Sequence, residues 1–183
     1  MENKKKRSIF GMKLRKCLFT IGIATLVFAN VACGKVKSGS TTESNIAKSD
    51  KADEDFDVKT VAADIKNEGK FKDQLAEIDP NIAINRIYQL DSAKLEAYAF
   101  YTNTGATAEE IAVIKVNDDS YLKNIENAFN KRVDDQKEAC RNYLPDEMTK
   151  LDKAVIKTSG SYIIFVVSED SEKANEIIGR YFN

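Results

Sequence analysis

The chain of 183 residues contains no histidine and no tryptophan. Histidine is the most common general base in enzymes and the most common side-chain ligand of transition metals. Its absence excludes a Ser-His-Asp triad, a Cys-His pair and any metal site that depends on histidine. An enzyme with this sequence would have to use other groups, of which carboxylates are the natural choice.

Long apolar runs are also lacking. The apolar run near the N-terminus, residues 18–29, has twelve residues, whereas a helix needs about 20 to span a bilayer. It follows a head, residues 1–16, that carries seven basic side chains and one acidic side chain. A basic head and a short apolar core are typical of a secretory signal. We therefore predict a signal peptide over residues 1–32.

Cys33 directly follows this segment and is preceded by a small residue, Ala32. Residues 32–34 resemble the lipobox of bacterial lipoproteins, in which the cysteine receives diacylglycerol. Asn30 stands where the lipobox usually has leucine, three residues before the cysteine. We expect Cys33 to be the lipid attachment site. The alternatives are a free thiol after an uncleaved anchor, or an ordinary secretory signal.

Cysteine is scarce, with only three in the chain. Cys17 would leave with the signal peptide and Cys33 would carry the lipid. Cys140 would then be the one remaining thiol, so an intramolecular disulfide is not expected in the mature chain.

The charge balance changes with the predicted processing. The whole chain has 28 basic and 29 acidic residues, and residues 1–32 hold seven of the former and one of the latter. Removing them leaves 21 basic and 28 acidic residues, a net charge of −7. Such a surface repels phosphates, which argues against nucleic acid as a partner. The membrane lipid would be reached through acylated Cys33, not through a basic patch.

The composition predicts three parts along the chain. After the signal peptide, residues 33–52 contain the lipidated cysteine and a tether rich in serine, threonine and lysine, with little to bury. A flexible coil of this length has a root-mean-square reach of roughly 25 Å. Residues 53–183 have the size of one domain.

The first part of this domain shows helical spacing of its apolar residues. Residues 58–65 predict a helix that ends at Gly69. The spacing continues through residues 71–78 until Pro80 breaks it, and residues 84–88 predict a further short helix.

The second part of the domain alternates strands with helices. The predicted elements are strands at 97–101 and 111–116, a helix at 120–143 stopped by Pro145, a hairpin with strands at 155–157 and 162–167, and a helix at 172–182. Residues 107–110 also fit a capping box, so a helical start there competes with the second strand. The run 162–167 has no polar alternation, as expected of a strand covered on both faces.

These elements predict an α+β domain with short N-terminal helices followed by two strand-strand-helix units. We expect a four-stranded, mainly antiparallel sheet with helices packed on one face. Residues 116–120 and 167–171 both lead from a strand to a helix through acidic and serine side chains. Helix capping is the preferred interpretation of both segments, and a paired site for Ca²⁺ is the alternative. We predict no bound metal and no cofactor.

Candidate functional residues are few, and we assign no catalytic residue. The aromatic side chains Tyr98, Phe100, Tyr101 and Tyr162 could form a surface for sugars or peptides, although packing against the sheet is the simpler interpretation. Cys140 lies on the apolar stripe of the long helix, which favours core packing over reactivity.

Three adjacent acid pairs could supply the two carboxylates of a glycoside hydrolase: Asp134-Asp135, Asp146-Glu147 and Glu169-Asp170. Adjacent residues on a helix point to different sides, so we expect these pairs to be solvated surface.

Five segments, taken in order, resemble a known family: residues 105–113, 136–138, 143–145, 160–162 and 166–168. The family is the domain of unknown function 4358, found in lipoproteins of low-GC Gram-positive bacteria. The resemblance covers roughly residues 70–183. It implies a location in the cell envelope and gives neither an activity nor catalytic residues.

Together, the sequence predicts a protein anchored by lipid on the extracytoplasmic face of the bacterial membrane. We expect its domain to be a non-catalytic module that binds an unidentified envelope protein or ligand. The alternative is a carboxylate-dependent hydrolase of the cell wall.

Overall fold

The computed structural model describes residues 55–182. The predicted signal peptide, the predicted lipid attachment site at Cys33 and the predicted tether lie outside the described residues. The helices are α1 (Val58–Glu68), α2 (Pro80–Ile82, continued by a π-helical turn at Ala83–Ile87), α3 (Leu122–Cys140), α4 (Pro145–Asp152) and α5 (Ser171–Gly179). The strands are β1 (Ala76–Glu77), β2 (Leu95–Thr102), β3 (Glu110–Val116), β4 (Val155–Ser159) and β5 (Tyr162–Val167). Short 3-10 turns at Ser92–Lys94 and Asp119–Tyr121 precede β2 and α3.

The strands form one antiparallel sheet in the order β1-β2-β3-β5-β4. The hairpins β2-β3 and β4-β5 meet at the centre, where Glu110 pairs with Val167 and Lys115 pairs with Tyr162. The α+β class and the two strand-strand-helix units are therefore confirmed. The prediction of four strands is wrong, because β1 adds a fifth strand beside the end of β2.

Helices cover both faces of this sheet, whereas the prediction placed them on one. Helices α1 and α5 bury Ile65 and Ile177 against one face, and α3 buries Phe129 against the other. The physical reason lies in the two central strands. Strand β5 is apolar at every position and β3 nearly so, so each presents apolar side chains to both faces and both need cover.

Two local predictions are corrected by the structure, and one open alternative is decided. Residues 71–78 are not helical, because the segment is a loop that bends at residues 72–73 and leads into β1. Residues 107–110 lead into β3, which confirms the preferred strand over the competing helical start. Pro145 starts α4 at its first turn instead of only stopping α3, as suits a residue without an amide hydrogen. Helix α3 consequently ends at Cys140, and Tyr143 is 85% exposed in the following turn.

The other predicted elements are confirmed with small shifts of their ends. Helix α1 buries the four residues of the predicted stripe and ends at Gly69. The final hairpin turns at Gly160, which has a φ of 50°. Within residues 55–182, no helix combines the length and the apolar character that a bilayer crossing requires.

Candidate functional site

Two adjacent carboxylates stand at the start of the central strand β3. Glu109 is 0% exposed and Glu110 is 1% exposed. Because consecutive strand residues point to opposite sides of a sheet, the two acids enter different environments. Burying a carboxylate costs folding free energy unless it is paired and hydrogen-bonded. The partners of each acid therefore show the role of that acid in the structure.

Glu109 binds both a loop and a buried lysine. Its carboxylate accepts hydrogen bonds from the backbone amides of Lys72, at 2.9 and 3.0 Å, and Asp73, at 2.9 Å. It also accepts one from Lys150 Nζ at 2.9 Å. The side chain therefore fixes the loop after α1 to the edge of the core.

Lys150 of α4 is the hub of this cluster. Its ammonium lies 2.9 Å from Glu109, 3.1 Å from Glu147 and 2.6 Å from Glu169, and its side chain is 9% exposed. Burial opposes the charge of Lys150, but the hydrogen bonds that its ammonium donates to Glu169, Glu109 and Glu147 outweigh this effect and raise the pKa of the amine. We call these four residues the Lys150 centre.

The third carboxylate of the centre, Glu147, joins α4 to the strand entrance. It is 2% exposed, and its Oε2 accepts a hydrogen bond from the Ala108 amide at 2.9 Å. The expectation that Asp146-Glu147 forms solvated surface is therefore wrong for Glu147. The first turn of α4 faces inward because Lys150 and Leu151 of the same helix are buried.

Glu110 occupies a second buried cluster, on the opposite side of β3. It accepts hydrogen bonds from Arg132 Nη2 at 2.8 Å, from Gln136 Nε2 at 3.2 Å and from the Tyr88 hydroxyl at 3.3 Å. Burial raises the pKa of Glu110, against the opposing effect of the Arg132 guanidinium. Burial also raises the pKa of Tyr88 well above its ordinary value, so its hydroxyl stays protonated and donates. We call these four residues the Glu110 centre.

A surface depression lies beside the Lys150 centre. It has a volume of about 640 Å³ and is lined by Gly69, Lys70, Phe71, Lys72 and Glu169. We call these five residues the loop-pole surface. Its two sides are joined by a hydrogen bond from the Glu169 amide to the Lys70 carbonyl at 3.0 Å, and by an ion pair between Lys70 and Asp170 at 2.8 Å.

Gly69 is required where the loop begins. A Cβ at this position would lie 2.4 Å from the Ile65 carbonyl oxygen and 2.8 Å from the Phe71 ring. Because those distances are shorter than real Cβ contacts, any side chain would push the end of α1 and Phe71 apart. The shape of the loop-pole surface thus depends on the close approach of Gly69 to Ile65 and Phe71, and on the hydrogen bonds that Glu109 accepts from the loop.

The two centres are suited to keeping the loop after α1 in place. They are poorly suited to acid-base chemistry on a substrate. A glycoside hydrolase needs two carboxyl groups that face the substrate from both sides. Glu110 has the raised pKa of a general acid, but it is enclosed by its own partners. Glu109 and Glu147 already form ion pairs with Lys150 and accept hydrogen bonds from backbone amides. Residues 55–182 contain no group of three or more acidic or cysteine side chains placed to hold a metal ion.

The four aromatic residues predicted as a binding surface do not share one surface. Tyr98 and Phe100 lie on the face covered by α3, with ring centroids 5.5 Å apart. Tyr101 and Tyr162 lie on the other face. Phe100 and Tyr162 are each 2% exposed, so packing against the sheet accounts for these two.

The other candidates from the sequence lie in the core, at helix starts or on the exposed surface. Cys140 is buried, and burial raises the pKa of its thiol, as suits a core residue. Asp118 and Asp170 accept hydrogen bonds from the amides of Ser120 and Lys173 at the starts of their helices, which confirms the capping interpretation. Asp134 and Asp135 are exposed, as expected.

The sequence indicates the residues of the two centres only in part. It places Glu109 and Glu110 in a possible capping box and in a segment of the family resemblance, and it offers Glu147 and Glu169 as members of acid pairs. It does not single out Lys150 or Arg132. One signal was available, because two acids directly before an unbroken apolar strand must either be solvated or be paired. The partners of Glu110 lie 22 to 26 residues away in sequence, and Lys150 lies 41 residues from Glu109. No local spacing around the two acids indicates these partners.

Comparison with known proteins identifies the family. The model of the family described as "Domain of unknown function (DUF4358)" matches residues 67–168, which is more than half of the chain. Searches of the curated proteins and of the solved structures returned no significant match. The matched region contains both buried centres except Glu169, and most of the loop-pole surface. The chain belongs to the DUF4358 family.

Proposed function

We propose that this protein is anchored by lipid at Cys33 on the extracytoplasmic face of a bacterial membrane, and that its domain is a non-catalytic binding module of the cell envelope. One observation carries the second part. The buried charges of the Lys150 centre are paired within the domain, and their effect is to fix a surface loop.

The loop-pole surface is held before any partner arrives. Glu109 binds the loop through two amides, and Lys150 ties Glu109 to Glu169 on the other side of the depression. Binding to an ordered surface costs less conformational entropy than binding to one that must be ordered first. Phe71, half-buried between two exposed lysines, offers an apolar contact with charged groups around it.

The alternative function, a carboxylate-dependent cell-wall hydrolase, requires acids that a polymer can reach. Glu169 is the one member of the Lys150 centre that is substantially exposed, at 44% of its side chain. Its hydrogen bond to Lys150 lowers its pKa, which makes it a poor proton donor at neutral pH. The geometry therefore supports binding over hydrolysis.

A photo-crosslinking amino acid at position 72 is expected to trap a discrete partner in intact cells. The full-length protein would carry p-benzoylphenylalanine in place of Lys72, and the matched control would carry it in place of Lys157. Both lysines are exposed, but Lys157 lies on the edge strand β4, outside the loop-pole surface. We expect one crosslinked species specific to position 72, read by immunoblot and mass spectrometry.

Two results would contradict this assignment. Equal crosslinking at positions 72 and 157 would show that the loop-pole surface is not special. Release of soluble fragments from purified cell wall by the wild-type protein, abolished by Glu169→Gln, would favour the hydrolase.

A further inference from the structure

The first described residues fix where the chain enters the domain. The Asp55 carboxylate binds the Tyr162 hydroxyl and accepts a hydrogen bond from Lys115 Nζ at 3.0 Å. The Phe56 ring stacks on the Tyr162 ring with centroids 3.9 Å apart. Since Lys115 and Tyr162 are paired across β3 and β5, the entry point is pinned to this end of the sheet.

The loop-pole surface is at the opposite end of the same two strands. Glu109 directly precedes β3, Glu169 follows β5 by two residues, and the paired residues there are Glu110 and Val167. Five residue steps separate this pair from Lys115 and Tyr162. At about 3.4 Å per residue, the two ends of the sheet are about 17 Å apart.

The end at which the chain enters is acidic. It is formed by residues 55–59, 91–96 and 115–119, which together hold six acidic and three basic side chains. Contacts join the three segments: Lys115 Nζ lies 2.7 Å from Glu96 and 3.0 Å from Asp55, and the Asn117 amide donates to the Lys94 carbonyl at 3.0 Å. We call these three segments the tether pole. Its excess of negative charge is repelled by anionic lipid headgroups.

We infer that, at an anionic bilayer, the domain stands with its tether pole toward the membrane but held off the surface, and with its loop-pole surface facing away. This inference rests on the proposed attachment at Cys33. The partner of the loop-pole surface then approaches from the side of the cell wall, not from within the bilayer.

Chain length supports this orientation. The radius of gyration of a domain of this size is about 14 Å, and a flexible tether of the predicted length would reach roughly 25 Å. For the loop-pole surface to meet the bilayer, the tether would have to run along most of the domain, which costs conformational entropy. With the tether pole inward, a tether of this length does not have to run along the domain.

The orientation is tested with paramagnetic relaxation in nanodiscs. Residues 33–183 contain both hydrophobic cores, which lie within residues 55–182. This chain, with Cys140→Ala, would be coupled through the Cys33 thiol to a maleimide lipid in phosphatidylglycerol discs that carry gadolinium headgroups. We expect severalfold larger relaxation enhancement at the amides of residues 55–59 and 115–119 than at those of residues 69–73. Equal or reversed enhancement would overturn the orientation.

Salt and charge variants test the repulsion. Raising the salt concentration from about 0.05 M to about 0.5 M shortens the screening length, so enhancement at the tether pole is expected to rise in phosphatidylglycerol discs and to stay constant in phosphatidylcholine discs. Asp119→Lys should give a similar rise at low salt, whereas Asp134→Lys, at an exposed site on α3 outside the tether pole, should not. No response to salt or to Asp119→Lys would overturn the stand-off. Because the lipid is attached chemically, these results do not depend on whether cells lipidate Cys33.

Discussion

Replacing Lys150 by methionine is expected to lower the free energy of unfolding by about 3–5 kcal/mol, the range for a buried ion pair that loses one partner. Methionine fills a similar volume but leaves Glu109 and Glu147 buried without their cation. Glu169 can turn to solvent, whereas the other two acids are fixed by backbone amides. Urea unfolding followed by circular dichroism measures the change.

Lys131→Met is the matched control for this variant. Lys131 is 67% exposed and pairs with the exposed Asp135 on the same helix, so its loss is expected to cost at most about 0.5 kcal/mol. In Lys150→Met, the amides of Lys72 and Asp73 should also exchange their hydrogens faster, because the anchor of their loop is weakened. A loss of stability below about 1 kcal/mol, with unchanged exchange, would show that the Lys150 centre does not hold the loop.

Replacing Arg132 by methionine is expected to destabilise the domain by about 3 kcal/mol at pH 7, and by less as the pH falls. Without the guanidinium, burial raises the pKa of Glu110 further above its unfolded value of about 4.3. An acid with a raised folded pKa destabilises the folded state above that pKa, since the charged form is disfavoured there. Protonation removes this penalty, so the difference in the free energy of unfolding between variant and wild type should narrow as the pH falls from 7.

Urea unfolding at several pH values measures this gap. Arg180→Met is the control, because Arg180 pairs with Glu68 at the surface and both side chains are more than 40% exposed. Its effect should be small and nearly constant over the same pH range. In the double variant Arg132→Met with Glu110→Gln, the pH dependence should disappear. A loss of stability in Arg132→Met that is constant or grows as the pH falls would contradict the raised pKa assigned to buried Glu110.

Much of the fold could be predicted from the local spacing of apolar residues. The spacing of Val58, Val61 and Ile65 was enough for α1, and the stripe from Ile125 to Val133 was enough for α3, because each helix buries one continuous face. The unbroken run of β5 already indicated cover on both sides of the sheet. That pattern conflicts with the prediction of helices on a single face. In the structure, helices cover both faces of the sheet, as the apolar run indicates.

The failures come from contacts that are distant in sequence. Strand β1 has only two residues, and its pairing with Thr102 and Tyr101 cannot be read from so short a segment. Residues 71–78 have helical spacing, but the amides of residues 72 and 73 donate hydrogen bonds to the carboxylate of Glu109, directly before β3. Tertiary hydrogen bonds here override local propensity.

The candidate site was beyond sequence reasoning for the same reason. The Lys150 centre draws one residue from the start of β3, two from α4 and one from the loop after β5. Each of these residues is an ordinary surface type when taken alone. By contrast, the proposed lipid attachment at Cys33 is inferred from the neighbouring residues alone, because the lipobox that it resembles is a local motif.

Intact-mass and peptide mass spectrometry of the protein extracted from membranes tests the proposed location most directly, and the proposed function as an envelope module depends on that location. We predict a mature chain that begins at Cys33, with diacylglycerol linked to the sulfur and residues 1–32 absent. A chain that retains residues 1–32, or one in which the Cys33 thiol is unmodified, would contradict it.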